Sequence, residues 1–462
     1  MKFKFTVSLL LLGGLNFSFA QKKSTKPNIV VIMADDLGYG DLGTFGATDI
    51  RTPNIDNLAS QGIKLTSFYS SSPVCSPSRA ALITGRYPKR MGIDHVFFPE
   101  SFTGIPTDEI TIGEALKGNG YTTAIFGKWH LGHHKSFLPL QNGFNEYYGI
   151  PYSNDMQGVV YLRGNDVDSI RVNQHYITKT YTSEAVKFID KNRDKPFFLY
   201  VTNNMPHVPL YASPEFEGKS KRGLYGDVVE EIDWSVGEIV KTLRKNGLEE
   251  NTLVVFTSDN GPWLLFDIEG GSAGPLRQGK GTTFEGGQRV PTVAYWPGKI
   301  KPGSVYEDLT TQLDLYPTII SLTGSQKTQT TKPLDGEDIS SVLFGTGKRK
   351  ADEFAYYSNG KIEAFRKGDW KIRLPQSDIK ANGITVVAAT DTLLFNLRND
   401  IGEKDNLLKT NQSKAKELLS ACKTFESNLG KTPAALVQRM PSDDSHIRKR
   451  AERAATKLNT GK

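Results

Sequence analysis

"NIVVIMADDLGYGD", residues 28–41, decides the fold. Its first half is apolar at consecutive positions and rich in Val and Ile, the pattern of a strand buried on both faces. Two carboxylates, Asp35 and Asp36, follow at once. Four more runs have the same character: "TTAIFG" (122–127), "PFFLYV" (196–201), "TLVVFT" (252–257) and "TVAYW" (292–296). Helical patterns lie between them, including "TIGEALKGNG" (111–120) and "YGDVVEEIDWSVGEIVKTLRKNG" (225–247), the second stopped by Asn-Gly. This alternation predicts an α/β fold built on a doubly wound, mostly parallel sheet.

In such a sheet, ligands bind beyond the carboxyl ends of the strands. The second run is followed by "KWHLGHH", with Lys128 and His130. The third leads into "TNNMPHVP", with Asn203, Asn204 and His207, and the fourth into "SDNGP", with Asp259 and Asn260. Asp and Asn are common turn residues, so one such site carries little weight; four at the same topological place carry much more. Asp35, Asp36, Asp259 and Asn260 form an oxygen-only donor set if the amide carbonyl faces inward, which suits Ca2+ or Mg2+ better than zinc. Lys128 and His130, two apart, share a side of an extended segment. Lys280 lies in the glycine-rich "LRQGKGTTFEGGQRVP", where backbone can approach a ligand closely. With Arg79 these cations suit a tetrahedral anion.

"SSPVCSPSRAALITGR" (71–86) holds one of only two cysteines. Ser76 reads as an N-cap, Pro77 as the first helical residue and Gly85 as the stop. Cys75 then lies just outside a helix N-terminus, where a thiol would be acidified and nucleophilic; the alternative is a buried inert cysteine. Cys422 lies in the helical pattern "KAKELLSACKTFESNL" and reads as a core thiol. A chain of 462 residues buries enough core to need no disulfide between the two.

Residues 1–20 read as a secretory signal peptide: two early lysines, an apolar middle shorter than about 18 residues, and Ala20. No later segment is apolar enough to span a bilayer. Without Lys2 and Lys4 the formal charge falls from +7 to +5, and the tail 445–462 alone carries +5. The body is close to neutral, so the basic balance does not imply nucleic acid. The turn-rich "TGSQKTQTTKPLDGED" (323–338) breaks the α/β rhythm. "EFAYYS", "KIEAFRKGDWKIRL", "GITVVAA" and "DTLLFNL" then predict a small antiparallel sheet, followed by the Cys422 helix. The expected organisation is a catalytic domain over 21–345, a C-terminal α+β subdomain over 346–440 and a basic tail over 441–462.

"CSPSRAALITGR" resembles the signature of the type I, formylglycine-dependent sulfatases, and "GKWHLG" (127–132) resembles their second motif. "GIPYSND" (149–155), "FTSDNGP" (256–262) and "GKGTTFEGG" (279–287) are similar to the arylsulfatase A and N-acetylgalactosamine-6-sulfatase group. The resemblance runs from about residue 27 into the C-terminal domain and implies an alkaline-phosphatase-like fold. It also implies oxidation of Cys75 to Cα-formylglycine by a sulfatase-maturing enzyme. Asp35, Asp36, Asp259 and Asn260 would bind one Ca2+ together with the modified Cys75. Arg79 would hold the formylglycine hydrate, Lys128 and Lys280 the sulfate oxygens, and Ser153 the surrounding shell. One hydroxyl of the hydrate would attack sulfur, giving a covalent sulfo-enzyme, while His207 protonates the leaving alcohol. His130 would then deprotonate the other hydroxyl, so that sulfate leaves and the aldehyde re-forms.

Two cysteines and one mature N-x-S/T sequon, at Asn411, are fewer than this group often has. They point to a bacterial, exported protein, periplasmic or extracellular. A sulfated carbohydrate of galactose or N-acetylgalactosamine type is the expected substrate, with Trp263, His95, Asp267 and Arg277 as candidate sugar-subsite residues. The alternatives are a phosphoesterase or phosphonate monoester hydrolase on the same fold, and a non-catalytic sulfated-glycan-binding protein. A cysteine-dependent phosphatase with Cys-x5-Arg would need arginine where Ala81 stands.

Overall fold

The computed structural model describes Met1 and residues 26–156, 159–381 and 384–436. The signal-peptide and basic-tail expectations lie outside these residues. The strand Asn28–Ala34 sits near the middle of a ten-stranded sheet. It pairs in parallel with Phe197–Thr202 on one side and Thr252–Ser258 on the other. Thr122–Gly127 and then Glu146–Gly149 extend the parallel part beyond Phe197–Thr202. Alternate side chains of the central strand face opposite layers, as strand geometry requires. Ile29, Val31 and Met33 pack against the helices Cys75–Thr84, Ile112–Gly118 and Leu315–Thr323. Val30 and Ile32 pack against Pro53–Ser60, Ile177–Asn192 and Gly223–Lys245. Helices on both faces explain why the strands read as unbroken apolar runs.

The fifth predicted run differs. Thr292–Tyr295 is a strand, but it runs antiparallel to Thr252–Ser258. Its amino end, not its carboxyl end, therefore meets the ligand-binding edge. The glycine-rich loop carrying Lys280 precedes it and so arrives at the same edge as the parallel strand ends.

The helix after Val74 begins at Cys75 itself, so Cys75 is its first residue rather than lying outside it. Ser76 is no cap; its hydroxyl accepts the Phe97 N–H at 3.0 Å. All ten helical residues are buried. One side packs on the main sheet through Ala80, Leu82 and Ile83. Ala81 faces the other way, into the core of the C-terminal subdomain. Gly85 ends the helix as predicted, at φ 68°. A Cβ there would stand 2.8 Å from Tyr316 Cβ, so the turn needs glycine for space as well as for its left-handed backbone.

The small sheet comprises Glu353–Ser358, Lys361–Lys367, Trp370–Arg373 and Leu393–Asn396, all antiparallel. The helix Gln412–Leu429 packs on it through Ala415, Leu418 and Cys422. "GITVVAA" does not join this sheet: Ile384–Val387 pairs with Ile379–Ala381 in a separate two-stranded ribbon. Cys75 and Cys422 are both free and buried. No helix among the described residues is long and apolar enough to cross a membrane.

Candidate active site

The strand-end residues converge. Lys128 Nζ donates to Asp35 Oδ2 at 2.6 Å, and Lys280 Nζ to Asp36 Oδ2 at 2.7 Å. Arg79 Nε and Nη2 each reach Asp259 Oδ2 at 2.9 Å, and Nη2 stands 3.5 Å from Asp35 Oδ1. Three carboxylates thus meet three cations, all buried except the slightly more open Lys280. Cys75 Sγ lies between them, 3.6 Å from Asp35 Oδ1 and 3.6 Å from Lys280 Nζ. Lys128 also donates to Ser153 Oγ at 3.3 Å. Of the sequence-derived candidates, Cys75, Arg79, Lys128, Lys280 and the three aspartates meet in this cluster, Ser153, Asn260 and His207 contact it, and His130 lies two residues from Lys128.

Two backbone positions show how tightly the cluster is specified. Asp36 and His130 have φ of 63° and 61°, values that cost a non-glycine residue about 1–3 kcal/mol and survive only where the surroundings fix them. The Asp36 N–H donates to Asp259 Oδ1 at 3.1 Å and the His130 N–H to Pro151 O at 3.1 Å. The Lys128–His130 segment is therefore not extended, as its spacing had implied. His130 places Nε2 2.9 Å from the Phe97 carbonyl. A carbonyl only accepts, so Nε2 carries the proton and Nδ1 is the bare nitrogen. That Nδ1 is buried with no hydrogen-bond partner among the described residues. Burial, with Lys128 and Arg79 nearby, holds the imidazole well below its usual pKa and keeps it neutral. In His207 the roles are reversed. Nδ1 donates to the Val208 carbonyl at 2.6 Å, and Nε2 faces Asp36 Oδ2 at 3.6 Å.

Donor atoms of Asp35, Cys75 and Asp259 lie within 4.8 Å of one another, as do those of Asp36, Cys75 and His207. Asn260 Nδ2 donates to Asp36 Oδ1 at 2.7 Å, leaving its Oδ1 buried without a hydrogen-bond partner among the described residues. The orphaned amide oxygen and the carboxylates fit a hard divalent cation. The electrostatics agree. Burial opposes ionisation of Asp35, but Lys128 and Arg79 more than reverse this and hold it well below the usual carboxylate range. Asp259 is pushed up to about 7 by burial and by the charges of Asp35 and Asp36. Crowded carboxylates of this kind are relieved by a cation among them.

The acidified thiol expected at a helix N-terminus is not present. Burial pushes the Cys75 thiol far up, and Lys128 and Lys280 only partly offset it. As a thiol, Cys75 is not a nucleophile at neutral pH.

The peripheral candidates separate. Trp263 stands beside the cluster, its ring 5.3 Å from His207 and 4.3 Å from Lys280 Nζ. His95 is half-buried two residues before Phe97, the partner of His130. Asp267 is exposed, on the segment that follows Trp263. Arg277 is committed elsewhere: it donates to the Glu403 carbonyl at 2.8 Å and stacks 4.2 Å over Phe284. Three contributors escaped the sequence reading. Asp155, two residues after Ser153, opposes burial through His207, the Ser153 hydroxyl and Lys128, and is held below its usual pKa. Gln312 donates to the Ser258 carbonyl at 2.9 Å and supports the strand end before Asp259. The Phe97 carbonyl sets the His130 tautomer. Only Asp155 sits in a segment with a visible signal, "GIPYSND".

Residues 27–325 match the Sulfatase family. The chain is 39% identical to arylsulfatase A of Bos taurus over 469 residues, covering 92% of this chain and 91% of that one. It is 41% identical to N-acetylgalactosamine-6-sulfatase of Mus musculus over 393 residues, covering 79% and 75%. A crystal structure of Ps i-CgsB in complex with k-i-k-neocarrahexaose superposes with a TM-score of 0.77 at 32% identity, covering 92% of this chain and 98% of that one. The ten-stranded sheet with its separate small antiparallel sheet is the alkaline-phosphatase-like architecture. The chain belongs to the sulfatase family and is a sulfuric ester hydrolase.

Proposed function

We propose that the protein hydrolyses a sulfate monoester carried on a carbohydrate, using Cys75 after its oxidation to formylglycine. The observation that carries this reading is the place of Cys75: common to both donor groups, beside Lys280, and inert as a thiol. An aldehyde hydrate there presents two hydroxyls to groups already in position. Lys128 and Lys280 hold the sulfate oxygens, and Arg79 fixes Asp259 and neutralises charge. His207 acts as the imidazolium: its Nε2, once protonated beside Asp36, delivers that proton to the leaving oxygen. The neutral His130 removes the proton of the second hydroxyl through Nδ1 and releases sulfate from the covalent sulfo-enzyme. A divalent cation held by Asp35, Asp36, Asp259 and Asn260, Ca2+ by the hardness of the donors, would supply charge stabilisation and lower the pKa of a bound hydroxyl.

The carbohydrate assignment is supported by N-acetylgalactosamine-6-sulfatase at 41% identity and by the hexaose bound to Ps i-CgsB at 32%. Trp263 beside His207 offers an aromatic face to a sugar leaving group. The N-terminal leader adds export to the periplasm or beyond, and a formylglycine-generating partner before or during it.

The test is a screen of matured protein against sulfated mono- and oligosaccharides of defined linkage, with the sulfate and phosphate esters of one phenol alongside. A sulfated galactose or N-acetylgalactosamine unit should be hydrolysed best. Preference for the phosphate ester would overturn the reaction class, and activity confined to the aryl sulfate would overturn the carbohydrate assignment. Metal binding has its own readout. Chelated protein should keep its fold, because the three lysine and arginine side chains already pair the carboxylates. Added Ca2+ should raise Tm in proportion to the logarithm of its concentration above Kd. A Tm indifferent to Ca2+ would sink the metal assignment.

A further inference from the structure

Lys280 is not carried by a strand. Its loop touches the catalytic edge through three backbone bonds, Lys280 N–H to Pro262 O at 2.8 Å, Gly281 N–H to Pro73 O at 2.9 Å and Gly261 N–H to Gly287 O at 3.0 Å. Beyond Gly281 the catalytic domain holds the end of the loop, with the Ser70 N–H on Gln288 O at 2.7 Å, while the C-terminal subdomain grips Thr283–Glu285 from the far side. Five residues after Lys280, Glu285 opens a buried four-residue helix, Glu285–Gln288. Its Oε1 accepts from Lys371 Nζ at 2.9 Å and Tyr356 OH at 2.7 Å, and its Oε2 from Tyr69 OH at 2.5 Å. Its backbone N–H donates to Glu403 Oε2 at 2.7 Å, and Glu403 Oε1 is 2.8 Å from the same Lys371 Nζ. The side chains of Glu285, Lys371 and Glu403 are all fully buried.

Further contacts tie the flanks. Thr283 donates to Glu363 Oε2 at 3.0 Å. Phe284 lies against both Arg277 and Arg373, each 4.2 Å from its ring, and packs on Phe395 and Leu397. Lys371, Tyr356, Glu363 and Arg373 belong to the small sheet, and Glu403 to the loop after its last strand.

Burying these charges carries a desolvation cost, and an apolar contact would hold two layers together without it. The subdomain already has an apolar contact of that kind through Tyr69, Ala81, Tyr87 and Leu313. Hydrogen-bonded ions add direction. They fix the short helix in one register, and a four-residue helix five residues from Lys280 leaves little slack. We propose that the Glu285–Lys371–Glu403 network is a positioning device for Lys280, through which the C-terminal subdomain holds the Lys280 ammonium against Asp36 and Cys75. Lys371, Glu285 and Glu403 are positioning residues that do not themselves touch substrate. The proposal rests on the role given above to Lys280.

A double-mutant cycle tests it, with Lys371→Met, Glu403→Gln and Lys280→Ala made singly and in combination in the full-length, matured protein. Lys371→Met should lower kcat/KM about 10- to 100-fold, the loss that a misplacement near 1 Å brings. In the Lys280→Ala background the same change should cost less than about threefold, since the group it positions is gone. Hydrogen exchange should quicken over residues 279–287 while the Asn28–Ala34 strand stays protected. Equal losses in both backgrounds, or full activity in folded Lys371→Met, would overturn the proposal. If Lys371→Met does not fold, the shape-conserving Glu403→Gln goes through the same cycle under the same criteria. Wild-type activity in Lys280→Ala alone would instead remove the role of Lys280, an outcome distinct from additivity.

Discussion

Replacing Cys75 by alanine should leave a folded protein with no measurable turnover. The side chain is 1% exposed, but it is small and begins a helix that alanine favours. Its neighbours Lys128, Lys280, Arg79 and the three aspartates pair with one another, so removing the sulfur leaves no buried charge unmatched. The loss of activity should reach about 10^4-fold or more, as when a nucleophile is removed from an intact set of binding groups. Serine separates the proposed chemistry from simple nucleophilic catalysis. Its oxygen could accept sulfate once, but the ester has no second hydroxyl to expel it. Unconverted Cys75→Ser should release at most one equivalent of alcohol and stop. In active wild-type protein the tryptic peptide Leu65–Arg79 should react with a hydrazide as an aldehyde does. Steady turnover by Cys75→Ala, or a free thiol on that peptide in fully active protein, would sink the formylglycine reading.

The legible part of this site was the part set by local chain direction. A parallel strand delivers its next residues to one edge, so Asp35, Lys128, His207 and Asp259 could be grouped from sequence. Lys280 needed the loop composition as well, because its strand runs the other way. The register of the signature helix could not be fixed from cap preferences: Ser76 and Pro77 are good starting residues, but Val74 has the extended backbone that begins the helix two positions early. The contacts that were missed join residues far apart in sequence. Glu285 meets Lys371 and Glu403 across a subdomain boundary, and nothing near Glu285 in sequence signals a partner more than eighty residues away. The same holds for Arg277, whose guanidinium donates to the Glu403 carbonyl far along the chain.

His130→Ala should separate the two halves of the reaction. The imidazole is placed at a strained φ of 61°, its Nε2 proton is taken by Phe97 O, and its Nδ1 lone pair is left buried without a hydrogen-bond partner among the described residues. Those costs make sense for a base that must stay unprotonated until it is needed. Under the proposed mechanism, loss of that base leaves the first step intact, since Lys128, Lys280 and His207 remain. The variant should release one equivalent of alcohol quickly and then stall, with kcat lowered about 10^2- to 10^4-fold. The stalled protein should carry sulfate on the peptide Leu65–Arg79. His207→Ala should behave oppositely. It removes the proton donor to the leaving oxygen, so it should show no burst, and its deficit should shrink as the leaving alcohol becomes more acidic. A good aryl leaving group needs little protonation; a sugar hydroxyl needs it fully. If His130→Ala gives no burst, or if both variants respond equally to leaving-group acidity, the proton roles proposed for the two histidines are wrong. The aldehyde at Cys75 could stand without them, because its test reads a peptide and not a rate.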